Sequence, residues 1–139
     1  MKIDSTKRWL LAVLLLSVAV GCSRQKTVKT SLEGQWAGHE ASPPNAECKA
    51  TIAGNQLEFR GAQSNDWCRG VFVLDEKTQP RQMDLAIQES PQNVGVTALA
   101  IYEQQGNDLK IAVAPPGDPQ RPVDFISGPS TRVVILKRE

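Results

Sequence analysis

The sequence of 139 residues predicts an all-β domain, eight antiparallel strands that run up and down and close into a barrel. Three observations carry this. From Leu32 onward, apolar and polar residues alternate with period two in short runs, and no stretch of helical period separates them. Gly54-Asn55 and Gly106-Asn107 sit between consecutive runs, where a tight hairpin needs a positive φ. Eight one-faced strands in succession must also hide their edges, and closing the sheet does so. A two-sheet sandwich is the alternative that this pattern allows.

The segment ahead of the barrel has a different character. Lys2, Lys7 and Arg8 form a basic start, and residues 9–20 are apolar except for Ser17. As a helix, such a run is too short for a bilayer core, which takes about 20 residues. It suits the helical apolar region of a secretory signal over residues 1–21. The segment ends Val18-Ala19-Val20-Gly21-Cys22 and resembles a bacterial lipoprotein signal, with Ala19-Val20-Gly21-Cys22 as its lipobox. That resemblance implies cleavage before Cys22 and a diacylglyceryl group on its sulfur. Gly21 is the small residue that lets a peptidase approach the backbone. The protein is thus expected outside the cytoplasm, held to a membrane through the lipid on Cys22. Ser23 follows where an Asp would retain some lipoproteins on the inner membrane, which favours the outer membrane, facing the periplasm. Residues 22–31 are polar and aperiodic and read as a flexible tether.

Residues 32–139 form the barrel domain. Strands are expected over residues 35–40, 48–53, 56–60, 68–75, 83–88, 96–103, 108–114 and 132–137. In the third, Leu57 and Phe59 oppose Glu58 and Arg60. In the fifth, Met83, Leu85 and Ile87 oppose Asp84, Ala86 and Gln88. In the seventh, Leu109, Ile111 and Val113 oppose Lys110, Ala112 and Ala114. Such alternation gives each strand one buried face. The inward set is then Trp36, Leu57, Phe59, Phe72, Leu74, Leu85, Ile87, Leu109, Ile111, Val113, Val134 and Leu136. With residues this bulky on strands this short, a filled interior is expected rather than a cavity. Because strand direction alternates, the long connections 40–47, 61–67, 89–95 and 115–131 gather at one end, where recognition is expected.

Removing residues 1–21 leaves 13 of the 16 basic and 14 of the 15 acidic side chains. No basic surplus calls for nucleic acid. His39 is the sole histidine, so no Ser–His–Asp or Cys–His arrangement is credible and no metal site is expected. No glycine-rich phosphate loop exists, and no cofactor is expected. These absences point away from an enzyme. With Cys22 assigned to lipid, Cys48 and Cys68 remain. An even pair in an oxidising compartment suggests a disulfide, formed where strands two and four begin at the long-loop end.

Two further resemblances bear on fold. Leu32-Glu33-Gly34-Gln35-Trp36 resembles the Gly-x-Trp opening of lipocalin-like barrels. The resemblance implies that Trp36 closes the barrel floor beneath an Arg of the last strand. Antiparallel pairing of the first and last strands brings the end of strand eight beside Trp36, and Arg138 shares the parity of Val134 and Leu136. Arg138 is therefore the expected partner. Residues 32–139 as a whole resemble a small extracytoplasmic domain of planctomycete bacteria that has no established function. The match runs through Gly70-Val71-Phe72-Val73-Leu74-Asp75, Pro80, Asp84-Leu85, Ile101-Tyr102-Glu103 and Gly106-Asn107-Asp108-Leu109-Lys110. It continues through Ala114-Pro115-Pro116-Gly117, Arg121-Pro122, Phe125 and Leu136-Lys137-Arg138. It implies a lipocalin-like β fold. That family usually carries a small polar stretch where Trp67-Cys68 stands, so the disulfide is not part of what it implies.

The function expected is a non-catalytic binding or docking module of the cell envelope, taking a small apolar ligand or an envelope protein. The alternative is a lipocalin-like protease inhibitor, since some such bacterial inhibitors share the Gly-x-Trp opening, a disulfide and at times a lipid anchor.

Overall fold

A computed structural model of the chain describes residues 31–139. The expected signal peptide, the lipidation at Cys22 and nearly all of the tether lie outside the described residues. Eight strands form a closed antiparallel barrel in simple sequence order. They are β1 (Gly34–Glu40), β2 (Glu47–Ala53), β3 (Gln56–Arg60), β4 (Trp67–Asp75), β5 (Arg81–Glu89), β6 (Thr97–Gln105), β7 (Asp108–Val113) and β8 (Arg132–Arg138). β1 pairs with both β2 and β8, which rules out the open sandwich.

Local chemistry explains the joints. Gly54 and Gly106 take φ of +58° and +59°, each as the first residue of a two-residue turn. That position favours glycine because it has no Cβ to clash. Asp75 ends β4, and its carboxylate accepts the Lys77 backbone N–H at 3.0 Å, which turns the chain toward β5. Pro115-Pro116 comes one residue after β7 and stops it, because proline has no N–H for the ladder. At Gly38, a Cβ would meet the Ile135 carbonyl oxygen at 1.8 Å, so only glycine lets β1 and β8 close at this level.

Every residue of the expected inward set lies in the core or against it. Trp36, Phe72, Leu109, Leu136 and Tyr102 fill one end, capped from below by Leu32. The connection between β7 and β8 departs from expectation. It does not stand up at the long-loop end but folds back over the outside of β5–β8. The Arg121 guanidinium donates to the Met83 and Ala100 carbonyls at 3.2 and 2.8 Å and pairs with Asp84 at 2.5 Å. Phe125 packs on Ile101, Ala112 and Val133, a second small core on the outer face, with Lys110 Nζ 5.4 Å from its ring centre. Ile101, Ala112 and Val133 make the centre of the outer face of β6–β8 apolar, and this segment covers that centre while its two ends stay at the rim.

Candidate functional site

The two ends of the barrel differ in build, and both are set by the inward column of β8. That column reads Arg132, Val134, Leu136, Arg138, every second residue turning to the same face. An arginine therefore stands at each end.

The floor end is sealed. Trp36 pairs with Arg138 in the β1–β8 ladder, and the guanidinium lies 4.5 Å from the indole centre. Trp36 is 1% exposed, and its indole N–H donates to the Leu32 carbonyl at 2.8 Å. Arg138 donates onward to the carbonyls of Glu33 and Ser31, at 2.5 and 2.7 Å. These bonds tie the segment that leads into β1 across the barrel bottom. The closure expected from Trp36 and Arg138 is thus the arrangement found.

The other end is open and leads into a hollow. A cavity of about 350 Å³ occupies the upper barrel, which corrects the expectation of a filled interior. Its walls include Leu57, Phe59, Leu85, Ile111 and Val134, but also Ala50, Ala98 and Ala100. The reason lies in the last three. β2 and β6 stand on the two sides of the barrel and turn alanines inward at the level where β3, β5 and β7 turn larger residues. Large side chains from one half do not reach the small ones opposite, and the space remains. The rim alone is polar, with Ser42, Thr131 and Arg132.

Arg132 crosses that rim. Its guanidinium stacks 4.8 Å from the Phe59 ring centre. Its Nη1 and Nη2 donate to the two Asp66 carboxylate oxygens at 2.9 and 2.5 Å, and its Nε donates to Glu40. The fork-to-fork pair with Asp66 fixes orientation as well as charge. These partners, the Asp66 hydrogen bonds above all, push the Arg132 pKa above its ordinary range, so it stays a cation. Asp66 and Glu40 lie 66 and 92 positions from Arg132 in sequence, and the three meet only because β8 closes on β1 and the β3–β4 connection carries Asp66 to the same rim. Arg132 was not among the site residues expected from the sequence. The signal was the shared parity of residues 132 to 138.

The bridge expected between Cys48 and Cys68 is not formed, and both are free thiols. β3 lies between their strands. Phe59 pairs with Cys68 on one side and with Ala50, two residues beyond Cys48, on the other. Two strand spacings of ~4.8 Å already exceed the ~7 Å Cα reach of a disulfide. Both thiols face inward near the rim. Burial pushes the Cys48 thiol up to about 11, against a smaller opposing pull from Arg132. Burial raises Cys68 as well, with Asp66 adding to it. Both are therefore protonated at neutral pH and behave as wall residues, since the thiolate is the nucleophilic form.

His39 lies exposed on the outer face of β1, its Nδ1 2.9 Å from the Glu40 carbonyl oxygen, so its ring faces away from the barrel interior. Among the described residues, no group of three His, Cys, Asp or Glu side chains is placed to hold a metal ion. What the site offers is an apolar-walled pocket, open at a rim where Arg132, Asp66 and Glu40 pair with one another and together carry one net negative charge. Comparison with known protein families, curated proteins and solved structures finds no match.

Proposed function

We propose that the chain is a lipid-anchored, extracytoplasmic binding module without catalytic chemistry, and that its barrel takes a small apolar ligand. One observation carries the reading: the cavity of about 350 Å³, apolar-walled and open at the loop end. Its size falls in the range of small-molecule sites, ~300–1,000 Å³. At the ~30 Å³ that a water-sized group occupies, it accommodates roughly a dozen heavy atoms. The choice between a small ligand and a docked protein turns on this hollow, because a filled barrel would have offered only its loops. The lipoprotein signal at residues 18–22 supplies the anchor and the compartment in this reading. The planctomycete resemblance agrees with it and adds no activity.

Naphthalene is a suitable probe, being apolar, uncharged and of fitting size. A ligand that binds only the native state stabilises it by about 2.7 kcal/mol at 100 times its Kd. The wild-type chain is expected to melt at higher temperature with naphthalene present, while Ala100→Leu, which fills the cavity, loses the shift. No shift in the wild type, or an equal shift in both, would reject the reading.

A further inference from the structure

We propose that the mouth selects a single-chain amphiphile with an uncharged polyhydroxyl head, its alkyl chain in the barrel and its head beside Arg132. The proposal rests on the binding reading above and names the class of ligand.

The first support is continuity. A groove of about 340 Å³ runs along the rim between the β3–β4 and β5–β6 connections. Phe59, Cys68, Ile87, Pro116 and Arg132 wall both this groove and the barrel cavity. A molecule whose tail fills the cavity therefore leaves its other end in the groove.

The second is the change of chemistry across that shared wall. The groove presents Gln63, Asn65, Ser90, Gln92 and Asn93. Amide side chains offer donors and an acceptor together, and a serine hydroxyl does the same. That set matches hydroxyl groups, each of which also donates and accepts.

The third is charge. Arg132 is bound by Asp66 and Glu40, so the three together carry one net negative charge. A carboxylate head must displace one of these anions or sit beside both. An ammonium head must compete with Arg132 for the same oxygens. A hydroxyl head disturbs neither pair. The bonds occupy three of the five guanidinium N–H groups, and the other two can donate to a hydroxyl oxygen. The cavity limits the tail to roughly a dozen carbons, by the same ~30 Å³ per group, so an octyl chain fits within it.

The test is calorimetric titration of the full chain with octyl β-glucoside, octanoate and octyltrimethylammonium, each below its micelle-forming concentration. The glucoside is expected to bind at least about tenfold more tightly than either ion, the worth of one or two hydrogen bonds. Replacing both Gln63→Ala and Asn93→Ala should cut that preference by about fivefold or more. Asp66→Asn, which removes one anion, should instead raise octanoate affinity relative to the glucoside. Octanoate or the ammonium binding as well as the glucoside overturns the proposal and leaves the apolar-ligand reading standing. A preference untouched by the paired substitution also overturns it. Failure of all three probes, with naphthalene failing too, overturns both.

Discussion

Filling the barrel should stabilise it, and the sign of that effect separates a hollow interior from a packed one. Ala100 sits on the inward face of β6, 2% exposed, and its side chain borders the cavity. Ala100→Leu adds three carbons on that side. If they enter empty space, each buried carbon contributes about 0.8 kcal/mol, or ~2.4 kcal/mol for the set. The cavity is open to water at the rim and the longer side chain loses rotamer freedom, so about 1–2 kcal/mol should survive. In a close-packed core the same change forces neighbours aside and costs about 1–3 kcal/mol. The two cases therefore differ by several kcal/mol and by sign. Urea unfolding measures it: the midpoint should rise while the slope with denaturant stays constant, since the surface exposed on unfolding hardly changes. For a domain near this size the melting temperature should rise by about 4–8 °C per kcal/mol. A lowered midpoint with an unchanged slope would refute the reasoning, because it would mean that the space beside Ala100 is occupied.

Three more predictions follow from the two ends of the barrel and the anchor. Trp36→Ala should cost about 3–5 kcal/mol by emptying the floor, and Arg138→Ala about 1–2 kcal/mol through lost stacking and stem packing. Equal costs in denaturant unfolding would argue against a floor centred on the indole. The Cys48 thiol has its folded pKa raised, from an ordinary 9.0 to about 11, so its stabilising contribution is complete below pH 9 and is lost as pH rises through 11. At about 1.4 kcal/mol per unit the two units amount to at most about 3 kcal/mol. Cys48→Ala should flatten the alkaline fall in stability, and an unchanged fall would contradict the burial argument. The wild-type protein should take up radiolabelled fatty acid and partition into detergent, and Cys22→Ala should do neither; absence of label in the wild type would remove the anchor.

Much of the barrel was legible because its rules are local. Alternation in Gln56–Arg60 and Arg81–Glu89 and the glycine-first turns follow from neighbouring residues alone. Closure at Trp36 and Arg138 was legible too, since it needs only strand direction and parity. The hollow was not, because it depends on which residues face one another across the barrel. Each of Ala50, Ala98 and Ala100 reads as unremarkable in its own strand, and only their placement beside larger inward residues leaves room. The Arg132 bar was hidden for the same reason, its partners arriving from the end of β1 and from the β3–β4 connection. The expected disulfide failed on register: both cysteines do lie at one end, but one whole strand separates them. The Arg121 and Phe125 side chains took their meaning only once the chain after β7 was seen to fold back over the outer face.

The central claim is an apolar space in the upper barrel that side chains leave unfilled, and xenon reports on such space directly, since apolar cavities bind it. A crystal of the protein held under xenon pressure should show the gas between Ala100, Leu57 and Ile111, inside the rim formed by Arg132 and Phe59. A barrel interior without xenon, filled at that level by side chains, would contradict the account.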